Sequence, residues 1–549
     1  MSLTQAVKHE ARRLGFSLAG VTTPEPPPHW PVYEHWLSMG RHASMDYLAD
    51  RRRLDPRLVL PECRSILVLA VTYPNPGSAA QNGGSPPVGR VAAYAWGADY
   101  HLVLPERLKT LASFIKMQVG SPVPHRWYTD TGPLLERDLA QRAGLGWIGR
   151  NTCLIHPKIG SYFLLAEILL GIELEPDLPF SADRCGKCTR CIIACPTNCI
   201  LPDRTLDARR CLSYLTIENK NEIPPDLRPQ LGNRIFGCDI CQQVCPWNRF
   251  AGPEHDPAFN ARPGVPEPDL VAELALSPQE FVRKFKDSTV LRSKRGGYLR
   301  NVAVALGNSG DPAALPVLEQ AVQSDEPLIR EHAIWALEQI QKKLSNREQM
   351  MHSILIATNN KGKVDEIKAL LGDLDIALLT PSDLGLTLEV AEDGQTYAEN
   401  AVKKAAAFAG AGGMIALADD SGLEVDALGG QPGLHSHRFC PIPNATDLDR
   451  RKYLLERLGD KPRPWTARFR ATVAIALPSG GIKLAFGQCE GEIIPDERGS
   501  NGFGYDPIFF IPELGHTMAE LEMAEKNRLS HRARAIRNGI PILKEVLGL

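Results

Sequence analysis

No stretch of this 549-residue sequence is long and apolar enough to span a membrane. The most apolar segment, Tyr162 to Leu174, is short and interrupted by Glu167 and Glu173, so it reads as a buried strand or helix. The opening residues, MSLTQAVKHEARRLGF, carry charges at helical spacing and lack the apolar centre of a secretion signal. Both absences make the cytoplasm the expected location, with no membrane partner. A formal net charge of −2 is too small for a chain that coats nucleic acid along its length. Cysteine is sparse except in one place, since nine of the thirteen lie between Cys185 and Cys245. With the other four scattered and no export signal, this concentration does not read as a disulfide framework.

The cysteines form two runs, Cys185-x2-Cys188-x2-Cys191-x3-Cys195-Pro196 and Cys238-x2-Cys241-x3-Cys245-Pro246, with Cys211 between them. The first run has the bacterial ferredoxin spacing, in which three cysteines grip one cubane and the cysteine before proline crosses to the other. Two 4Fe-4S clusters are expected. Cluster one takes Cys185, Cys188, Cys191 and Cys245; cluster two takes Cys195, Cys211, Cys238 and Cys241, leaving Cys199 over. Cys-x2-Cys pairs also build zinc ribbons, but zinc needs only four ligands and has no use for Cys-Pro after each run. Clusters pass single electrons, so an electron donor protein or reductant is an expected partner.

Length divided by a typical domain size suggests three or four domains. Residues 1–175 mix helical and strand patterns, with a strand at Ser65 to Val71 and a Pro/Gly-rich loop from Pro74 to Gly89, as in an α+β domain. The cysteine region occupies 176–250. Residues 251–341 comprise a Pro-rich connector and paired helices, where Ala305-Leu306 and Ala336-Leu337 recur 31 residues apart and Asp311-Pro312 starts a helix. This pattern suggests a HEAT-type unit. A polar linker is expected over 342–351, and a new strand, loop and helix begin a separate α/β domain over 352–549. Phe281 to Arg300 carries seven Lys or Arg against one Asp, with Phe281, Phe285 and Tyr298 interleaved. Such a patch can hold RNA phosphates and stack bases; a solvated helix face is the plainer reading.

Several motifs before and after the cysteines carry a resemblance. They are Arg53-Leu54-Asp55-Pro56, Trp96 to His101 (WGADYH), Tyr128 to Pro133 (YTDTGP), GLGWIGRN ending at Asn151, Gly160-Ser161-Tyr162 and Gly232-Asn233-Arg234. Together, over residues 1–345, they resemble the epoxyqueuosine reductases, which complete queuosine on the tRNA wobble base. The resemblance implies a nitroreductase-like domain holding cobalamin, a ferredoxin-like domain with the two clusters, a helical repeat, and tRNA bearing epoxyqueuosine as substrate. Asp130 matches the family's proton donor and a cobalamin contact; Arg53, Arg150 and Asn151 match positions expected near cobalamin. Cys199 stands where the family usually has a small apolar residue. Corrinoid reductive dehalogenases share the cofactor pairing, but are normally exported with a twin-arginine signal that this chain does not show.

The last part has different chemistry. A strand leads into Thr358-Asn359-Asn360-Lys361-Gly362-Lys363 and then a helix, a loop whose free amides and lysines suit a triphosphate, though it is not a Walker P-loop. Asp419 and Asp420 pair two carboxylates as a magnesium site needs, Glu392 and Glu399 can complete the shell, and Lys404 can meet phosphate. With TYAENA at 396–401, GGQPGLHSHR at 429–438 and GFGYDPIFF at 502–510, the region resembles the inosine triphosphatase or XTP/dITP diphosphatase family. By that resemblance Asp420 is the general base and a Mg2+ ligand, with Glu392 beside it. Thr358 to Lys363, Ser421, Phe503, Gly504, Tyr505, Asp506, Lys526, His531 and Arg532 bind the nucleotide, the last two facing the 6-keto oxygen of the base. Purine nucleoside triphosphates such as ITP, dITP and XTP would yield a monophosphate and pyrophosphate, and relatives are usually homodimers. Ala391 and Tyr397 depart from the family pattern. A regulatory module that binds nucleotide without hydrolysing it is the competing class, against which the intact Asp419, Asp420 and Lys526 argue.

Overall fold

A computed structural model describes residues 1–77, 87–351, 353–374 and 376–549, with the side chains of 346–351 outside that description. Most of the expected Pro74–Gly89 loop, 78–86, and residue 352 lie outside the described residues. The chain divides into two compact units, Met1–Lys343 and Leu344–Leu549. Among the described residues no helix is long and apolar enough to cross a membrane.

The first unit is built on a four-stranded antiparallel sheet of β1 (Leu18–Thr22), β2 (Ser65–Thr72), β3 (His125–Tyr128) and β4 (Phe163–Leu170), in the order β1-β2-β4-β3. The strand expected at Ser65–Val71 is the buried β2, and the apolar Tyr162–Leu174 resolves as strand β4. Alternation sorts the side chains of both strands. Leu67, Leu69 and Ile168 meet the helices α1 (Leu3–Arg13) and α2 (Tyr100–Val119), whereas Ile66, Val68 and Leu169 meet α3 (Glu136–Arg142). Glu167, on the second face at the middle of the sheet, is wholly buried.

The cysteine region hangs on two short helices that pack together, α4 (Arg190–Ala194) and α5 (Ile240–Gln243). Each is followed within two residues by a cysteine before proline, and proline bars its predecessor from helical geometry. Cys195 (φ −70°, ψ 112°) and Cys245 (φ −71°, ψ 120°) accordingly adopt nearly the same extended backbone.

The helical repeat follows as α6 (Lys294–Ser309), α7 (Leu315–Val322) and α8 (Pro327–Met351), with Asp311 capping the turn at Pro312–Ala314. Gly307 lets α6 approach α8 closely, for a Cβ there would stand 2.8 Å from the Ala336 Cα. The expected linker, residues 342–351, is helical and continues α8, and the boundary between the two units falls within it. KKLSNREQMM has no proline or glycine and is rich in good helix formers.

The second unit is a seven-stranded mixed sheet with helices on both faces. Its strands are β5 (Ser353–Ile356), β6 (Ala377–Leu379), β7 (Ile415–Val425), β8 (Trp465–Ala476), β9 (Ile482–Ile493), β10 (Phe509–Ile511) and β11 (His516–Thr517), in the order β6-β5-β7-β8-β9-β10-β11. Strand β5 runs parallel to β6 and β7; the remaining pairs are antiparallel. Ile354, Ile356 and Leu417 face α9 (Lys361–Leu371) and the C-terminal helix α13 (His531–Leu547); Leu355, Ala416 and Ala418 face α10 (Tyr397–Gly412). Between them lie α11 (Asp447–Leu458) and α12 (Met523–Leu529).

Candidate functional sites

In the first unit the tight turn after β3 presents Asp130. Its carboxylate accepts from the Tyr100 hydroxyl at 2.9 Å and from Arg292 Nη2 at 3.0 Å, and lies 3.5 Å from His101 Nε2. Burial pushes this carboxyl up, but His101, Arg292 and Tyr100 outweigh it and hold it below the usual carboxylate range. Asp130 is therefore an anion in an ion pair, with its side chain still half exposed. Tyr100 and His101 follow Asp99, which caps α2 and whose carboxylate is 2.7 Å from His101 Nδ1. The sequence showed these residues in a motif but gave them no role; Arg292 was hidden in the basic segment.

Arg53, Arg150 and Asn151 each meet a different segment. Arg53 Nη1 donates to the Leu134 carbonyl beside the Asp130 turn at 2.7 Å, Arg150 Nη2 to Gly186 O at 2.9 Å, and Asn151 Nδ2 to Cys241 O at 3.4 Å. Arg150 and Asn151 thus brace the two cysteine loops. The Nε atoms of Arg53 and Arg150 are buried without a partner among the described residues. Such donors fit the amide and phosphate oxygens of a corrinoid.

None of the thirteen cysteines is joined in a disulfide. Burial raises the Cys245 thiol to about 11, with Cys185 and Cys191 adding to it, so these thiols share one neighbourhood. Cys191 is raised by burial and then by Cys185 and Cys188. In the other group burial raises Cys238 to about 12, with Cys211 contributing. Cys241 feels both Cys238 and Cys211, while Cys211 feels Cys195. Each group draws on one of the ligand sets expected from spacing, but Cys245 also feels Cys153, so the two groups adjoin, and among the described residues no three of these side chains are close enough together to hold a metal ion. The groups also contain thiols the spacing left aside: buried Cys199 has its Sγ 3.5 Å from that of Cys195, and Cys153 adjoins Cys241.

The basic segment does not keep its expected form. Phe281, Phe285 and Tyr298 are buried against one another with centroids 5.0–5.5 Å apart, so they offer no face to an RNA base. Arg300 is fully buried and donates to the carbonyls of Leu215, Asn219 and Asn221, and Lys284 pairs with Glu273. Arg283, Lys286 and Lys294 remain exposed.

In the second unit a cavity of about 880 Å³ gathers most of the expected nucleotide residues: Thr358, Asn359, Asn360, Gly362, Lys363, Ser421, Phe503, Gly504, Tyr505, Asp506, Lys526, His531 and Arg532. Lys361 is exposed and is not in its lining. Nor is Glu399, whose carboxylate accepts the Gln395 N–H at 2.8 Å as a local cap.

The two adjacent aspartates do not act as a pair, because strand alternation sends them to opposite faces of β7. Asp419 turns toward α9 and α13 and is fully buried between Lys363 Nζ at 3.1 Å and Arg532 Nε at 3.0 Å. Burial pushes it up, but Lys363, Arg532 and Lys404 overcome that and keep it ionised. Asp420 turns toward α10 and into the cavity, accepting from Asn400 Nδ2 at 3.1 Å. Burial raises its carboxyl above the ordinary value. Lys404 Nζ lies 3.6 Å from Asp420 and 3.2 Å from Glu392, so these two carboxylates converge on one cation and suit a divalent ion. Gly422 is required here, since a Cβ would come within 2.3 Å of Gly433 O.

Beneath the cavity, three cations interlock with three carboxylates. Lys526 Nζ is 2.9 Å from both Glu366 and Asp506, Arg532 bonds Glu366 and Asp419, and Lys363 bonds Asp419. The Phe503 ring lies 5.0 Å from Lys526 and 5.4 Å from Arg532. His531 stacks on Phe469 at 4.7 Å, and burial keeps its imidazole neutral. The sequence did not single out Glu366; its only signal was an acid on the apolar face of α9, beside Ile367. Glu366→Ala would strand Lys526 and Arg532 with one anion fewer, so chemical denaturation is expected to show a loss of about 3–5 kcal/mol in the second unit. Arg438 and Arg450, also unanticipated, line the same cavity.

Comparison with known proteins parallels this division. The profile of the Ham1 family matches residues 354–541, that of the 4Fe-4S double cluster binding domain 184–248, that of epoxyqueuosine reductase QueG, DUF1730, 53–131, and that of HEAT repeats 290–348. The epoxyqueuosine reductase of Pseudomonas aeruginosa is 40% identical over 341 residues, 61% of this chain and 94% of that protein. A crystal structure of epoxyqueuosine reductase with a tRNA-Tyr epoxyqueuosine-modified stem loop is 33% identical, covering 63% of this chain and 94% of its own, with a TM-score of 0.56. The nucleoside-triphosphatase, or dITP/XTP pyrophosphatase, of Mycobacterium abscessus is 36% identical over 34% of this chain and 99% of its own, with a TM-score of 0.30.

Proposed function

The chain belongs to the epoxyqueuosine reductase family through its first unit and to the Ham1 family through its second, and we propose that it is a bifunctional enzyme working on tRNA and on non-canonical purine nucleotides. The first activity reduces epoxyqueuosine to queuosine in tRNA. Two 4Fe-4S clusters on the cysteine sets above would deliver electrons singly. Arg53, Arg150 and Asn151 would hold cobalamin, a group that supplies a low-valent metal able to open an epoxide. The protein's own task is the proton. Asp130 would protonate the departing oxygen, yet it stands ionised against Arg292, so it must first take up a proton. A tRNA phosphate competing for Arg292 would weaken that pair and raise the proton affinity of Asp130. The exposed Arg283, Lys286 and Lys294 near it in sequence suit the same phosphate backbone.

The second activity splits ITP, dITP or XTP into monophosphate and pyrophosphate. The observation that carries it is the separation of Asp419 from Asp420, which leaves Asp420 free in the cavity beside Glu392 and Lys404. Asp420 would bind Mg2+ with Glu392 and draw a proton from the attacking water, while Lys363 and Lys404 neutralise phosphate charge. Phe503 offers an apolar face for the purine, and the Lys526–Arg532 cluster lies beside it.

A general base works only when deprotonated, and the Asp420 carboxyl is raised by burial. Hydrolysis is therefore expected to fall as pH drops through a point above the ordinary aspartate range, and to plateau above it. A pH–rate profile of kcat with saturating Mg2+ checks this. The activity itself is tested by Mg2+-dependent pyrophosphate release from ITP or XTP; none from the intact chain would refute the hydrolase.

A further inference from the structure

Asp130 occupies the left-handed region, φ +59°, which a residue other than glycine adopts only when its surroundings impose it. Two fastenings hold the turn. Thr129 Oγ1 donates to the Leu165 carbonyl on β4 at 2.9 Å, and the Asp130 peptide N–H donates to Glu136 Oε1 at 2.8 Å. Glu136 opens α3, whose Leu139 and Ala140 are buried against the sheet.

Glu136 is in turn met by Glu167. This second acid is wholly buried opposite Tyr128 and Val68 in the sheet; among the described residues its oxygens have no hydrogen-bond partner, and burial, then the neighbouring Glu136 and Asp130, push its carboxyl up. A carboxyl wholly buried beside another acid, with no cation paired to it, is held in its neutral form, so Glu167 carries a proton that it can offer to Glu136. The other charged groups facing the pair are Asp130, Arg137 and Arg53. Burial, then Asp130, raises the Glu136 carboxyl to about 7.

We propose that Glu136 is a positioning residue for the reduction, holding the Asp130 peptide so that its carboxyl faces the substrate, with Glu167 keeping Glu136 in place through the proton it offers. The inference rests on the reductase reading, but its physical content can be measured apart from activity. In the full chain, Glu136→Ala is expected to lower kcat for epoxyqueuosine reduction at least tenfold while changing the KM for tRNA less than twofold. The Asp130 amide, followed by hydrogen–deuterium exchange, should exchange at least tenfold faster. Glu136→Gln keeps the accepting oxygen and should retain most of the activity and the amide protection. Glu167→Gln, which can still donate to Glu136, should behave like the wild type, and Glu167→Leu like Glu136→Ala. Unchanged iron content and melting temperature would show that the first unit of each variant is folded. Wild-type kcat and exchange in Glu136→Ala, or a Gln variant as impaired as the Ala variant, would overturn the proposal, and a wild-type-like Glu167→Leu would overturn the part given to Glu167. Should the wild type itself fail to make queuosine, the reductase reading fails and the exchange comparison alone decides this one.

Discussion

Asp420→Asn is expected to lower ITP and XTP hydrolysis by about 10²–10⁴-fold, the usual worth of a general base. The substitution is close to isosteric. An asparagine oxygen can still accept from Asn400 Nδ2, and Lys404 keeps Glu392 as its anionic partner, so the cavity should keep its shape. What is lost is a group that can take a proton and a negative oxygen for Mg2+. Nucleotide should still bind, because the Lys526–Glu366–Arg532–Asp419 cluster lies on the opposite face of β7. Malachite-green detection of phosphate after pyrophosphatase treatment gives the rate, and epoxyqueuosine reduction by the same preparation should be unchanged. A variant within threefold of the wild type would remove Asp420 from the chemistry.

Asp130→Asn should do the converse. Asparagine tolerates left-handed backbone, so the turn at φ +59° can persist, and its amide can still accept from Tyr100 and Arg292. It cannot deliver a proton. Queuosine formation is expected to fall by about 10²–10⁴-fold, with iron content, visible spectrum and ITP hydrolysis unchanged. The measurement is mass spectrometry of nucleosides from tRNA treated under reductant. Conversion at the wild-type rate would leave the proton to another group, with Tyr100 and His101 the nearest.

The division into two enzymes was legible because each half repeats its chemistry in local motifs. The like backbone of the two cysteine runs was legible too, since Cys-Pro fixes the geometry at Cys195 and Cys245 whatever surrounds them. What escaped depended on long-range contacts. Arg292 reaches Asp130 across 162 positions and Arg532 reaches Glu366 across 166, and no local pattern announces either pair. Alternation would have separated Asp419 from Asp420 had Met414–Ser421 been read strictly as a strand; read as a carboxylate pair, they suggested one metal site. The aromatics of the basic segment misled for a related reason, because spacing alone cannot distinguish an aromatic that stacks bases from one that fills a core. The helical form of the linker was not legible, since a polar run without proline or glycine is as good a helix as a tether.

The central claim is that one chain carries two chemically independent enzyme activities. Its most direct test takes a single anaerobic preparation of the full chain, containing about eight irons per chain, and divides it between two assays. One supplies reductant, cobalamin and epoxyqueuosine tRNA; the other supplies Mg2+ and ITP. The account predicts queuosine from the first and pyrophosphate with IMP from the second, each abolished only by its own aspartate variant. A preparation with its full complement of iron that forms only one of the two products would contradict it.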